Sequence, residues 1–115
     1  DIHRRANERN AIVVKWTVPA KLDLKDIHDY IARDSKFYAR KVSQDIVDKS
    51  ENPKQFPEIG RIVPEIDDPN IRELFVYSYR LIYEVLPAGV RVLALIHSKR
   101  NFAGNLNDMR DQENR

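Results

Sequence analysis

Between residues 71 and 97 the chain alternates apolar with polar positions, and the apolar ones are mostly aromatic or β-branched. This pattern predicts three strands, at 71–76, 79–86 and 90–97. Tyr77-Ser78 reads as a two-residue turn, and Pro87-Ala88-Gly89 as a three-residue loop in which Gly89 supplies a left-handed conformation. Side chains alternate across a strand, so such a hairpin places Arg72, Leu74, Val76, Tyr79, Leu81, Tyr83 and Val85 on one face. Ile71, Glu73, Phe75, Arg80, Ile82, Glu84 and Leu86 share the other. The first face is mostly apolar and requires a helical cover. The second mixes apolar and charged residues and is expected to face solvent or a partner.

Upstream the period changes to that of a helix. Ala20, Leu24, Ile27 and Ile31 recur at helical spacing over 19–33, with Asp23, Asp26, Asp29 and Arg33 mostly off the stripe. Pro19 suits the first turn of that helix. Ser35 is placed to cap a second helix at 36–49, which buries Ala39, Val42 and Ile46 with help from Tyr38 or Phe37. So short a link makes the two an antiparallel hairpin. A strand is expected at 11–18, and another, short, at 61–65 after the proline-bearing connector. Residues 66–70 read as a turn. The predicted class is α+β in the order β-α-α-β-β-β-β, a helical hairpin packed on a small antiparallel sheet. Residues 1–10 read as a flexible arm, 11–102 as the folded domain with Phe102 as a late anchor, and 103–115 as a polar tail.

A chain of 115 residues suits one domain with one core. The absence of cysteine excludes disulfides and thiolate metal sites and points to a cytoplasmic setting. No apolar run approaches the roughly 20 residues that span a bilayer, and no signal-peptide pattern is visible, so a soluble protein is expected. The net charge is +2, from 20 basic against 18 acidic residues, too balanced to argue nucleic-acid binding from electrostatics alone.

Several chemistries lack their residues. His3, His28 and His97 are scattered without zinc-ligand spacing. Gly60, Gly89 and Gly104 form no phosphate-cradling loop, and no serine sits in a nucleophile context. No cofactor or metal is expected. What remains is a polar set on or beside the sheet: Arg61, Glu65, Arg72, Glu73, Arg80, Glu84, His97, Lys99 and Arg100. Guanidinium groups there could hold phosphate or carboxylate, with His97 as general acid or base. Alternatively, Arg72, Arg80, Glu73 and Glu84 are cross-strand ion pairs and His97 a hydrogen-bonded strand end. Register separates part of this choice. With a three-residue loop, Arg80 pairs with Ile96 and His97 with Tyr79, on opposite faces; a one-residue slip sets Arg80 beside His97. The first arrangement is the expected one.

Four segments in this order resemble the RelE/ParE superfamily of toxins from bacterial type II toxin–antitoxin modules. They are WTVPAKLDLKDIHDYIARDS, FPEIGR followed by VPE, IRELFVYSYRLIYEV and VLALIHSKR, together covering roughly residues 12–100. The resemblance implies the fold already derived, a cognate antitoxin as partner, and assembly into a toxin–antitoxin hetero-oligomer. Two activities occur in the superfamily. RelE-like members cleave mRNA on the ribosome; ParE-like members inhibit DNA gyrase. For the first, the resemblance implies Arg80, Arg61 and Arg100 on phosphate and His97 as acid or base. For the second it implies a binding surface, and Arg72, Glu73, Arg80, Glu84 and Lys99 are the candidates. No tyrosine follows Tyr83 to match the C-terminal tyrosine of RelE-like nucleases, and Lys54 stands without a lysine cluster. The FPEIGR and IHSKR segments are more similar to the ParE-like, plasmid-stabilisation branch, so gyrase inhibition is the expected activity and mRNA cleavage the alternative.

Overall fold

The computed structural model describes residues 13–99. A strand, β1 (Val13–Trp16), leads into two helices, α1 (Val18–Ala32) and α2 (Lys36–Ser50). After a 3-10 turn at Asn52–Lys54 come β2 (Arg61–Ile62), β3 (Ile71–Val76), β4 (Tyr79–Leu86) and β5 (Gly89–His97). The five strands form one sheet in the order β1-β5-β4-β3-β2. The predicted element order holds. The sheet is only mostly antiparallel, however, because β1 lies parallel to β5. The strand expected at 61–65 shrinks to two residues, since Pro64 offers no ladder N–H and the chain turns at Val63, whose carbonyl accepts Ile66 N–H and Asp67 N–H. Residues 1–12 and 100–115, with the predicted arm, the Phe102 anchor and the polar tail, lie outside the described residues.

Local chemistry fixes both helices. Thr17, fully buried, caps α1 by accepting Ala20 N–H at 3.2 Å, and Pro19 occupies the first turn. The same hydroxyl donates to the Leu93 carbonyl at 3.3 Å, tying the start of α1 to β5. Ser35 caps α2 as expected, accepting Tyr38 N–H at 3.0 Å. Ala39, Val42 and Ile46 are buried, and Val42 and Ile46 with Ala20 pack in one cluster with Leu74, Val76, Leu81, Tyr83, Val90, Val92 and Leu95 of the sheet. Leu24, Ile27 and Ile31 pack against this cluster while remaining half-buried. Phe37 and Tyr38 give no such help: both are exposed, Phe37 by 70%.

The second face is not solvated, and that expectation is corrected. Ile71, Ile82, Leu93 and Ala94 form a second cluster with Val63 and Ile66, which descend from the segment between β2 and β3. A loop of mixed composition thus does for this face what the helices do for the other.

The β4–β5 hairpin reaches the expected register by another route. Leu86 pairs with Gly89, so the loop has two residues, and Gly89 opens the strand. The extra residue is Leu93, bulged between Ile82↔Ala94 and Tyr83↔Val92. Beyond the bulge Arg80 faces Ile96 and Tyr79 faces His97. No described glycine has a positive φ. Gly89 is required for a different reason, because a Cβ there would lie 2.4 Å from the Val13 carbonyl oxygen of β1. Gly89→Ala is therefore expected to push β1 from the sheet and cost about 1–3 kcal/mol. Thermal unfolding checks this, at about 4–8 °C of melting temperature per kcal/mol.

Candidate functional site

Two charged residues of the second face, Glu73 and Arg80, meet in one network. Glu73 and Arg80 share that face, two residues off direct pairing across β3 and β4, and the Arg80 Nε–H donates to Glu73 at 2.6 Å. From the turn after β2, Glu65 accepts both terminal guanidinium nitrogens, at 2.7 and 2.8 Å. This two-pronged geometry is the strongest that a guanidinium and a carboxylate can adopt. Arg61 closes the other side, its Nε–H donating to the second Glu73 oxygen while its guanidinium lies 5.1 Å over the Phe75 ring. The Glu73 side chain has no exposed surface and that of Arg80 only 6%. The Glu65 carboxylate, with Glu73, holds the Arg80 guanidinium well above its ordinary range, so its charge is permanent. It is spent internally.

The other sequence-predicted residues lie apart from this cluster. Arg72 points to backbone, donating to the carbonyls of Pro69 at 2.9 Å, Glu58 at 3.3 Å and Gly60 at 2.9 Å. Glu84 pairs with Arg91, directly opposite on β5, at 2.9 Å. His97 is exposed at the end of β5, where its Nδ1 accepts Lys99 N–H at 3.2 Å and its ring meets Tyr79 edge to face. Lys99 is exposed, and Arg100 lies outside the described residues. The structure thus brings Arg61, Glu65, Glu73 and Arg80 together and leaves His97 on the other side of the sheet.

Sequence reasoning missed a second feature. Between α1 and the end of the sheet runs an open groove of about 810 Å³, lined by Asp23, Asp26, Tyr30, Tyr38, Tyr77 and Tyr79 among others. Asp23 is partly buried and accepts Leu95 N–H at 3.0 Å; burial pushes its carboxyl above the ordinary range. At the rim the Tyr77 hydroxyl donates to Asp45 of α2, which raises the phenol and lowers the carboxyl. The sequence did carry a signal: Asp23, Asp26 and Tyr30 fall at steps of three and four, one stripe of a helix. The adjacent apolar stripe of Ala20, Leu24, Ile27 and Ile31 is the stronger pattern and hides it.

Among the described residues no group of three histidine, aspartate or glutamate side chains could hold a metal ion, and no helix is long and apolar enough to cross a membrane. Residues 14–102 match the family described as ParE toxin of type II toxin-antitoxin system, parDE. Among solved structures, the chain is similar to one described as the chromosomal ParDE TA system from P. aeruginosa. The match has 25% identity and a TM-score of 0.66, covering 78% of this chain and 99% of that one. No curated protein sequence matches.

Proposed function

The chain belongs to the ParE toxin family of type II toxin–antitoxin systems, and from that premise we propose that it acts by binding, inhibiting DNA gyrase until a cognate antitoxin neutralises it. It works in this reading in the cytoplasm, where gyrase and the antitoxin are found, and the two module proteins form a hetero-oligomer. The observation that supports binding over mRNA cleavage is the separation of the residues a nuclease would need. Cleavage requires a general acid or base within about 3 Å of its target, directly or through one water, beside a cation on the phosphate. Arg80 is committed to Glu73 and Glu65 on one face, and His97 stands beside Tyr79 on the other.

Arg61 at the network's edge, with Phe75 beside it, and Lys99 are exposed and better placed to meet a protein surface. His97→Ala tests the distinction. The variant is expected to arrest growth as the parent does, because His97 is exposed at the end of its strand. A ribosome-dependent nuclease using His97 would lose about 10²–10⁴-fold in rate. Loss of toxicity in a variant that still folds and still binds antitoxin would overturn the binding reading.

A further inference from the structure

The connector between α2 and β2 is a surface loop that the sheet holds at several points. Residues 56–59 form a turn around Pro57 and Glu58, closed by Ile59 N–H on the Phe56 carbonyl at 2.9 Å. Tyr83, fully buried on β4, reaches this turn from the core. Its hydroxyl donates to the Pro57 carbonyl at 2.7 Å and accepts Gly60 N–H at 2.9 Å, so both of its capacities serve the loop. Arg72 adds bonds to the Glu58 and Gly60 carbonyls, at 3.3 and 2.9 Å. Gly60 lies flush on the sheet, since a Cβ there would meet the Glu73 carbonyl oxygen at 2.5 Å.

What this anchorage presents is apolar. Phe56 is 65% exposed and Ile59 49%, although burial would favour both. Two residues on, the Arg61 guanidinium lies over the exposed ring of Phe75, which stands beyond the end of the β2 pairing. Arg61 gives its Nε–H to Glu73, and its terminal amino groups have no partner among the described residues. Three exposed apolar side chains and an arginine with free donors therefore share the β2 edge of the sheet, the edge opposite β1. Aromatic residues and arginine carry much of the energy of protein interfaces, and a loop ordered beforehand loses less entropy on binding.

We propose that this edge is the surface that meets DNA gyrase, with Phe56 and Ile59 entering an apolar hollow of gyrase and Arg61 taking a carboxylate beside it. The proposal rests on the gyrase reading above and adds the surface that performs it. The charge of the occupant follows from Arg61. Its Nε is engaged and its plane is stacked on Phe75, so the two terminal amino groups remain as a planar pair suited to a carboxylate. Tyr83 and Arg72 are positioning residues: they touch no partner and keep the turn in place.

The test titrates the full chain into a supercoiling reaction of DNA gyrase on relaxed plasmid. The double variant Phe56→Ala, Ile59→Ala is expected to need about 10- to 100-fold more protein for half inhibition, the scale of losing central apolar anchors. Arg61→Lys, which keeps the charge and loses the paired donors, is expected to weaken inhibition about 10-fold. Phe37→Ala, which removes a still more exposed ring on α2, is expected to inhibit as the parent does. The double variant is expected to melt with the parent and to bind the protein encoded by the adjacent open reading frame. Inhibition unchanged in the double variant would overturn the proposal and leave the gyrase reading intact. Loss of antitoxin binding or of self-association, with inhibition unchanged, would overturn it too and assign the edge to that partner. A parent chain that leaves supercoiling unimpaired while message is cleaved would remove the gyrase reading and the proposal with it.

Discussion

Arg80→Met is expected to destabilise the fold by about 3–5 kcal/mol, the loss typical when one member of a buried ion pair is removed. The variant strands Glu73, whose side chain has no solvent contact, and leaves it only Arg61, which is 59% exposed. It also releases Glu65, and with it the turn that carries Val63 and Ile66 onto the second sheet face. Replacing Glu73 by Leu in the same chain is expected to recover much of the loss, because exchanging both members for apolar residues of similar volume is often neutral. Urea unfolding of the two single variants and the double variant checks this. Equal stability of Arg80→Met and the parent would show that the network contributes nothing.

The second large effect lies on the opposite face. Leu81 sits fully buried on β4, paired with Leu74 and Leu95 beneath the helical hairpin. Leu81→Ala is expected to cost about 2–5 kcal/mol, from lost transfer energy and the cavity left under α2. Ile31→Ala is expected to cost less, because Ile31 is only half-buried at the groove edge. The difference is the informative quantity in thermal unfolding. If the two variants were equally destabilised, the hairpin would sit differently on the sheet.

Much of this was legible in the alternation of β3 and β4, since a two-residue turn at Tyr77-Ser78 leaves one register and therefore one division of faces. The α2 core positions Ala39, Val42 and Ile46 followed from period alone. Tyr77 itself takes the positive φ that the turn requires, at 54°, where a glycine would be the ordinary choice. What the sequence concealed was tertiary. Local pattern has no term for β1 lying along β5, so the sequence suggests a turn role for Gly89 where the constraint is the approach of Val13. The bulge at Leu93 offset a loop one residue shorter than expected, which is why the pairing of Arg80 with Ile96 was right for the wrong reason.

The second face shows a similar limit. Three charged residues there, Glu73, Arg80 and Glu84, suggested solvent, because such residues are rarely buried without partners. The partners came from outside the hairpin: Glu65 and Arg61 from around β2, and Arg91 from β5. Pairing of this kind is invisible until the connector is placed. The tyrosine- and aspartate-lined groove was concealed in the same way, since its walls belong to segments as far apart as Asp23 and Tyr79.

We propose that this toxin acts by occupying gyrase. Titrating the purified protein into a supercoiling reaction of DNA gyrase on relaxed plasmid, with mRNA integrity followed in parallel in a translating ribosome extract, tests it most directly. The expected result is dose-dependent loss of supercoiling, relieved by antitoxin, with intact message in the extract. Unimpaired supercoiling together with cleaved message would contradict it.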